Sequence, residues 1–243
     1  MTSGPKAAMV LAAGVGKRMR PLTKFVPKPL LRVGGRTMLD RTLDKVAAAG
    51  VTRAVVNAHY LADQIETHLK RRSMPSIILS PEEDILDTGG GVLNALEHLG
   101  PDPFFALNGD TVWDEGPTSA LCRLSEAWDA DRMDAILLMQ PAVSAFGYDG
   151  KGDFHMDVEG RLSRRGESDI APFVFTGIQI LDPTLFKGLK PGRFSLNVVY
   201  DRALENERLF GIRHDGGWYH VGTPESLIQV NRIFEQLNQA VYF

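Results

Sequence analysis

Residues 11–31 read LAAGVGKRMRPLTKFVPKPLL, two glycines and a cationic run between apolar ends. Seven basic residues, Lys17, Arg18, Arg20, Lys24, Lys28, Arg32 and Arg36, crowd into 17–36, and no acidic residue comes before Asp40. Cations beside glycines suit phosphate. Without a Cβ in the way, backbone N–H groups reach phosphate oxygens, and ammonium or guanidinium groups neutralise them. The spacing is not that of a dinucleotide fingerprint, because Met19 stands where a third small residue belongs. Nor is it a Walker A loop: no glycine precedes Gly16-Lys17 at the required distance, and Arg18 replaces Ser or Thr. A phosphate cradle, a solvated basic loop and a nucleic-acid contact remain open. Pro21, Pro27 and Pro29 predict a basic arm that is extended and stiff rather than helical, able to bring Lys28 back over the glycines.

Two further segments carry chemistry. Asn108-Gly109-Asp110 follows the apolar run FFAL. A carboxylate at the carboxyl end of a buried strand lies where ligands bind in open α/β sheets. One such carboxylate, completed by phosphate oxygens and water, is an ordinary Mg²⁺ site. The same residues also fit an Asn-Gly turn between strands. In SPEEDILDTGGG, three successive glycines at a helix start imply close approach to the backbone. Its Glu82, Glu83, Asp84 and Asp87 read as a solvated acidic loop rather than a metal cluster, with at most one touching a ligand.

The elements that must position these groups alternate between strand-like and helix-like patterns, which favours a mainly parallel sheet covered by helices. Strands are expected at 8–13, 51–58, 76–80, 104–107 and 134–140, and helices at 38–49, 61–71, 90–99 and 118–127. After residue 141 the style changes. GDFHMDVEGRLSRR reads as a hairpin turning at Glu159-Gly160, PFVFTGIQIL as a buried strand and SLNVVYDRALEN as a helix. WYHVG leads into a last helix capped by Thr223, with Pro224 in its first turn. Leu227, Val230, Phe234, Leu237 and Val241 line one face of it. No linker or repeat divides the chain, so one α/β domain is expected over 1–243. Residues 1–140 form its nucleotide half, and 141–243 supply a small β-rich portion and the last helix.

With 243 residues the chain is long enough to bury roughly three-quarters of its unfolded surface, so folding needs no disulfide or metal. The single cysteine, Cys122, excludes an internal disulfide and suits a reducing compartment. The early apolar run at 7–13 is too short to span a membrane and, unlike a secretory signal, runs into a basic segment. A cytoplasmic protein is expected, with no membrane partner. A net charge of −3, without an aromatic-interleaved basic surface, argues against nucleic acid but leaves a local cationic cluster free to bind a small anion.

LAAGVGKRMRPLT followed by PKPLL resembles the signature of the sugar-1-phosphate nucleotidyltransferases. The similarity continues through VNAHYLADQIETHL, LDTGGGVLNAL, LNGD, FTGIQIL and WYHVGTPESL, nearly the whole chain. It implies a Rossmann-like nucleotidyltransferase domain, in which a sugar-1-phosphate oxygen attacks the α-phosphorus of a nucleoside triphosphate in line. Arg18 then matches the arginine on the leaving pyrophosphate, and Lys28 the lysine on the α-phosphate and the attacking phosphate. Lys17 adds charge toward the β and γ groups. Leu11, Ala12, Ala13, Gly14 and Gly16 match the backbone along base, ribose and phosphates, while Thr88, Gly89 and Gly90 border the base. Asp110 is the implied metal ligand, for Mg²⁺ or Mn²⁺. Gly152, Asp169, Thr176 and Gly177 fall where the sugar pocket is built.

Two departures stand out. The family's W-x-D-x-G-T reads Trp218-Tyr219-His220-Val221-Gly222-Thr223, so His220 replaces the aspartate that is the second metal ligand. Imidazole suits Mn²⁺ better than Mg²⁺, so either His220 ligates a softer metal, or Asp110 holds Mg²⁺ with water and phosphates, or His220 only hydrogen-bonds near the pocket. The family's sugar-phosphate lysine is missing between Lys151 and Lys187, so either Arg164 or Arg165 substitutes or the contact is absent in this shorter subgroup. LDTGGG, FTG and the short length are most similar to bacterial N-acetylmuramate-1-phosphate uridylyltransferases of cell-wall recycling, which implies UTP and that sugar phosphate as partners. Mannose-1-phosphate guanylyltransferases, using GTP, are the near competitors, and a weakly active regulatory paralogue is a third reading. The β-helical acyltransferase domain of bifunctional relatives is not expected. Monomer and homo-oligomer are both open.

Overall fold

The computed structural model describes residues 4–240. β1 (Ala7–Leu11) is apolar throughout and its first four residues are buried, as a central parallel strand requires. Three single-turn 3-10 helices follow, at Lys17–Met19, Leu22–Lys24 and Lys28–Leu30, then a ribbon of β2 (Arg32–Val33) and β3 (Arg36–Thr37). The Thr37 hydroxyl accepts the Asp40 N–H at 3.0 Å and so caps α1 (Met38–Ala48). Alternation continues through β4 (Arg53–Ala58), α2 (Ala62–Leu69), β5 (Ser76–Pro81), α3 (Asp87–Leu99) and β6 (Phe104–Asn108). Then come β7 (Val112–Trp113), α4 (Ala120–Ala127), β8 (Ala135–Pro141), and the hairpin β9 (Phe154–Met156) with β10 (Leu162–Arg164). The chain closes with β11 (Phe173–Leu181), α5 (Asn197–Glu205), β12 (Leu209–Arg213), β13 (Trp218–Tyr219) and α6 (Pro224–Ala240).

Nine strands make one sheet in the order β10-β9-β11-β6-β1-β4-β5, with β8 also on β11 and β12 on β8. Its centre, β6-β1-β4-β5, is parallel, as expected, and β11 runs antiparallel to β6 and β8. Sequence periodicity did not anticipate β12, although it pairs with β8 over five residues. α1, α2 and α4 bury Leu43, Val46, Ile65 and Leu124 on one face of the sheet, while α3 and α5 bury Val92, Leu99, Val199 and Tyr200 on the other. Because β11 and β8 lie in the same sheet as β1, residues before and after 140 share one body. Among the described residues, no helix is long and apolar enough to cross a membrane.

A smaller core sits under the basic loop. Met19, Val33, Met38, Val112, Val221, Leu227, Val230 and Phe234 pack together there. This corrects the extended arm. Burial of Met19 and Thr23 pulls the loop inward, and the prolines occupy turn positions, with Pro27 preceding the Lys28–Leu30 turn and Pro29 inside it. It also corrects the last helix. Leu227, Val230 and Phe234 face this core, but Leu237 lies outside it and is 46% exposed. Val241 lies outside the described residues.

The ladder between β11 and β8 shifts register between Phe175 and Gln179. Gly177 lies in that bulge with φ +82°, and a Cβ there would stand 2.5 Å from the Asn108 amide nitrogen. Gly177→Ala is therefore expected to cost about 1–3 kcal/mol, from the backbone conformation and the collision together. Urea denaturation reads this directly, and an unchanged midpoint would remove the strain argument.

Candidate active site

The carboxyl ends of β1, β4 and β6 meet at one edge of the sheet. There the Gly109 N–H donates to the Leu11 carbonyl at 2.8 Å, and the Ala12 N–H donates to Asn57 Oδ1 at 2.7 Å. Asn57 is buried and donates in turn to Glu82 Oε1 at 2.7 Å, while Glu82 Oε2 accepts the Leu86 N–H at 3.0 Å. Glu82 is thus not part of a solvated loop. It is 7% exposed and links β4 to the start of α3. A buried carboxylate needs such donors, and its two are a backbone N–H and the Asn57 side-chain amide.

Beyond Ala13 the glycine loop closes on itself. Gly16 O accepts the Met19 N–H at 2.9 Å and the Thr23 hydroxyl at 2.8 Å. With Met19 and Thr23 turned inward, Lys17 and Arg18 are left facing outward. Lys28, returning on the third turn, places Nζ 2.5 Å from Asp110 Oδ2.

These loops wall a cavity of about 490 Å³. Leu11, Ala12, Ala13, Gly14, Gly16, Lys17, Arg18, Lys28, Thr88 and Asp110 all line it, so most residues singled out from the sequence are brought together. A second cavity of about 260 Å³ is walled by Thr176, His220, Tyr148, Asp153 and Trp218. Arg18, Lys28, Asn108 and Asp110 line both cavities and mark where they meet.

His220 is held by its own backbone and by the ribbon before it. Its N–H donates to the Phe146 carbonyl at 2.8 Å. The β7–β13 ribbon precedes it, and Tyr219 anchors that ribbon by donating to Asp114 Oδ2 at 2.9 Å. Burial, with the Asp114 carboxylate beside it, pushes the Tyr219 phenol up to about 12, so it remains a donor. Burial pushes the His220 imidazole below its usual range, and the charges of Lys28 and Arg18 act the same way. A neutral imidazole therefore faces the junction, in the state that can ligate a metal. Among the described residues no group of three or more His, Cys, Asp and Glu side chains converges. The donor set fits a cation completed by substrate oxygens and water, not a protein cage.

Other expected residues lie outside both cavities. The Gly89 and Gly90 N–H groups donate to the Phe194 carbonyl at 2.9 and 3.0 Å, and a Cβ on Gly89 would meet the Phe194 ring at 2.5 Å. The glycines thus admit the 192–195 loop, which carries Arg193 to the larger cavity. Gly177 lies beneath Asn108. Gly152 donates its N–H to the Tyr148 hydroxyl at 3.0 Å, next to the smaller cavity. Asp169 sits in an exposed loop and accepts the Gly166 N–H. Arg164 pairs with Asp201, and Arg165 donates to the Gly152 carbonyl, so neither reaches the junction. Asn57, Arg193, Tyr148 and Asp153 carried no sequence signal, because sequence separation hides their convergence.

Residues 7–236 match the nucleotidyl transferase family, and the chain belongs to it. It is 39% identical over 231 residues to the N-acetylmuramate alpha-1-phosphate uridylyltransferase of Caulobacter vibrioides, covering 93% of this chain and 96% of that one. The enzyme of the same name from Neisseria meningitidis serogroup B is 35% identical over 89% of this chain and 93% of its own. A mannose-1-phosphate guanyltransferase of Schizosaccharomyces pombe is 27% identical over 91% of this chain and 62% of its own. Among solved structures, the inositol-1-phosphate CTP transferase of T. maritima superposes with TM-score 0.78 at 18% identity, over 97% of each chain. A UDP-glucose pyrophosphorylase complexed with UDP-glucose gives 0.76 at 18% identity, over 96% of this chain and 99% of that one. These likenesses show the fold.

The Asn57–Glu82 link predicts its own test. Asn57→Ala leaves the Ala12 N–H and one Glu82 oxygen without their partner, which costs about 2–4 kcal/mol. Thermal unfolding should report the loss and nucleotide KM should rise, while KM for the second substrate stays within twofold. Equal effects on both substrates would contradict a role confined to the larger cavity.

Proposed function

We propose that this chain transfers a uridylyl group from UTP to N-acetylmuramate 1-phosphate and releases pyrophosphate. The observation that carries the reading is the sharing of Arg18, Lys28, Asn108 and Asp110 by two cavities. A triphosphate in the larger one and a sugar phosphate in the smaller one would bring their phosphates together at these residues. A sugar-phosphate oxygen then bonds to the α-phosphorus as the bridging bond to the β-phosphate breaks, and pyrophosphate departs with the electron pair. Such a displacement needs positioning and charge neutralisation rather than a covalent enzyme intermediate.

Arg18 suits the leaving pyrophosphate, because a guanidinium forks across two oxygens. Lys28 serves the α-phosphate and its attacker, while Lys17 and Arg193 add charge along the β and γ groups. Residues 1–140 supply most of the nucleotide half, and 141–243 supply the sugar side together with Arg193. A bound divalent cation, Mg²⁺ or Mn²⁺ on Asp110 with His220 in reach, would neutralise phosphate oxygens. The uridylyltransferase relatives, at 39% and 35% identity over nearly their full length, support the choice of base and sugar.

Pyrophosphate release across UTP, GTP, CTP and dTTP, each crossed with several sugar 1-phosphates, tests the assignment. Turnover should be fastest with UTP and N-acetylmuramate 1-phosphate. Turnover with GTP and mannose 1-phosphate but none with UTP would replace it, and tight nucleotide-sugar binding without turnover would favour a regulatory protein. Lys28→Met should lower kcat at least a hundredfold, as expected for a lost transition-state charge. His220→Asp should raise the Mg²⁺-supported rate relative to the Mn²⁺-supported one, and an unchanged ratio would remove His220 from the metal.

A further inference from the structure

Tyr148 lines the smaller cavity, and the chemistry proposed above does not use its hydroxyl. Its ring is held edge-on against Trp218, with centroids 6.5 Å apart, and against His220, 6.3 Å apart. The Gly152 N–H donates to the phenol oxygen at 3.0 Å, which uses an acceptor site and leaves the phenol's own hydrogen free. No protein acceptor takes that hydrogen among the described residues. A phenol ordinarily titrates at about 10, so that hydrogen is present at neutral pH.

We propose that Tyr148 positions the sugar by donating a hydrogen bond to a neutral oxygen on it, a hydroxyl or an acyl carbonyl. The inference rests on the reading of the smaller cavity as the sugar-phosphate site. Charge decides the kind of oxygen. The cations on this cavity's wall are Arg18 and Lys28, both at the junction where phosphates meet. Asp153 lines the wall as well, fixed there by accepting the Phe175 N–H at 2.8 Å. A substrate carboxylate beside Asp153 would be repelled, whereas a neutral oxygen accepts from the phenol without penalty. The ring's two aromatic contacts hold the donor direction fixed before substrate arrives, and that preorganisation makes one neutral hydrogen bond count in binding.

Tyr148→Phe keeps the ring and removes the donor. Its steady-state kinetics should be measured with UTP and with N-acetylmuramate, N-acetylglucosamine, glucose and 2-deoxyglucose 1-phosphates. Sugar-phosphate KM is expected to rise about tenfold, the size of one neutral hydrogen bond, with UTP KM within twofold of wild type. The ratio of variant to wild type should fall to about one on the sugar lacking the accepted oxygen. An unchanged sugar KM, or a rise shared equally by UTP and every sugar, overturns the proposal and leaves Tyr148 as a support for Gly152. A wild-type enzyme with no turnover of any sugar 1-phosphate overturns the functional reading itself, and Tyr148's role with it.

Discussion

Phosphate chemistry needs several positive charges in a small volume, and such charges repel one another until an anion arrives. The contact between Lys28 and Asp110 answers that constraint. It joins residues 82 positions apart at 2.5 Å, on a lysine side chain that is 14% exposed. A mostly buried ammonium is costly without a counter-charge, and the turn after β6 provides one. Asp110 therefore fixes Lys28 at the mouth of both cavities before any phosphate binds. The surrounding structure holds these two groups in register.

That support comes from both ends of the chain. Met19 and Thr23 pull the basic loop onto a small core that α6 completes with Leu227, Val230 and Phe234. The Gly109 N–H binds the end of β1, so the turn bearing Asp110 cannot drift from the glycine loop. The bulge in β11 makes room for Asn108, and the β7–β13 ribbon delivers His220. The glycines of α3 allow the 192–195 loop to come close and add Arg193. Cations gathered inside a cavity reconcile a local basic cluster with a net charge of −3. The concave wall focuses their field on a small anion instead of offering it to a polyanion.

Much of the parallel sheet was legible because buried central strands are continuous apolar runs and their helices carry a clear 3.6-residue period. The runs at β1, β4, β5 and β6 and the faces of α1 and α2 fall within a few residues of expectation. β12 was missed because LFGIR is short and Gly211 interrupts its apolar run. Three prolines argued for an extended arm, yet proline also starts 3-10 turns, and the burial of Met19 decided between them. Leu237 fits the period of α6, but no core extends far enough to cover it.

The sequence by itself determined which groups are available. Glycines, a lysine-arginine run and Asn-Gly-Asp at a strand end are local patterns whose residue types suit phosphate oxygens or a hard cation, without fixing which of their possible uses the chain makes. Tertiary structure decided which groups act together. It put Arg18, Lys28, Asn108 and Asp110 on both cavities, turned Glu82 from an apparent surface charge into a buried link, assigned the α3 glycines to loop packing and left Asp169 outside. It also found Tyr148 and Arg193, which share cavity walls with residues far from them in sequence. The physical reason is that convergence depends on distances set by strand order and loop closure, and neither is encoded within any one segment.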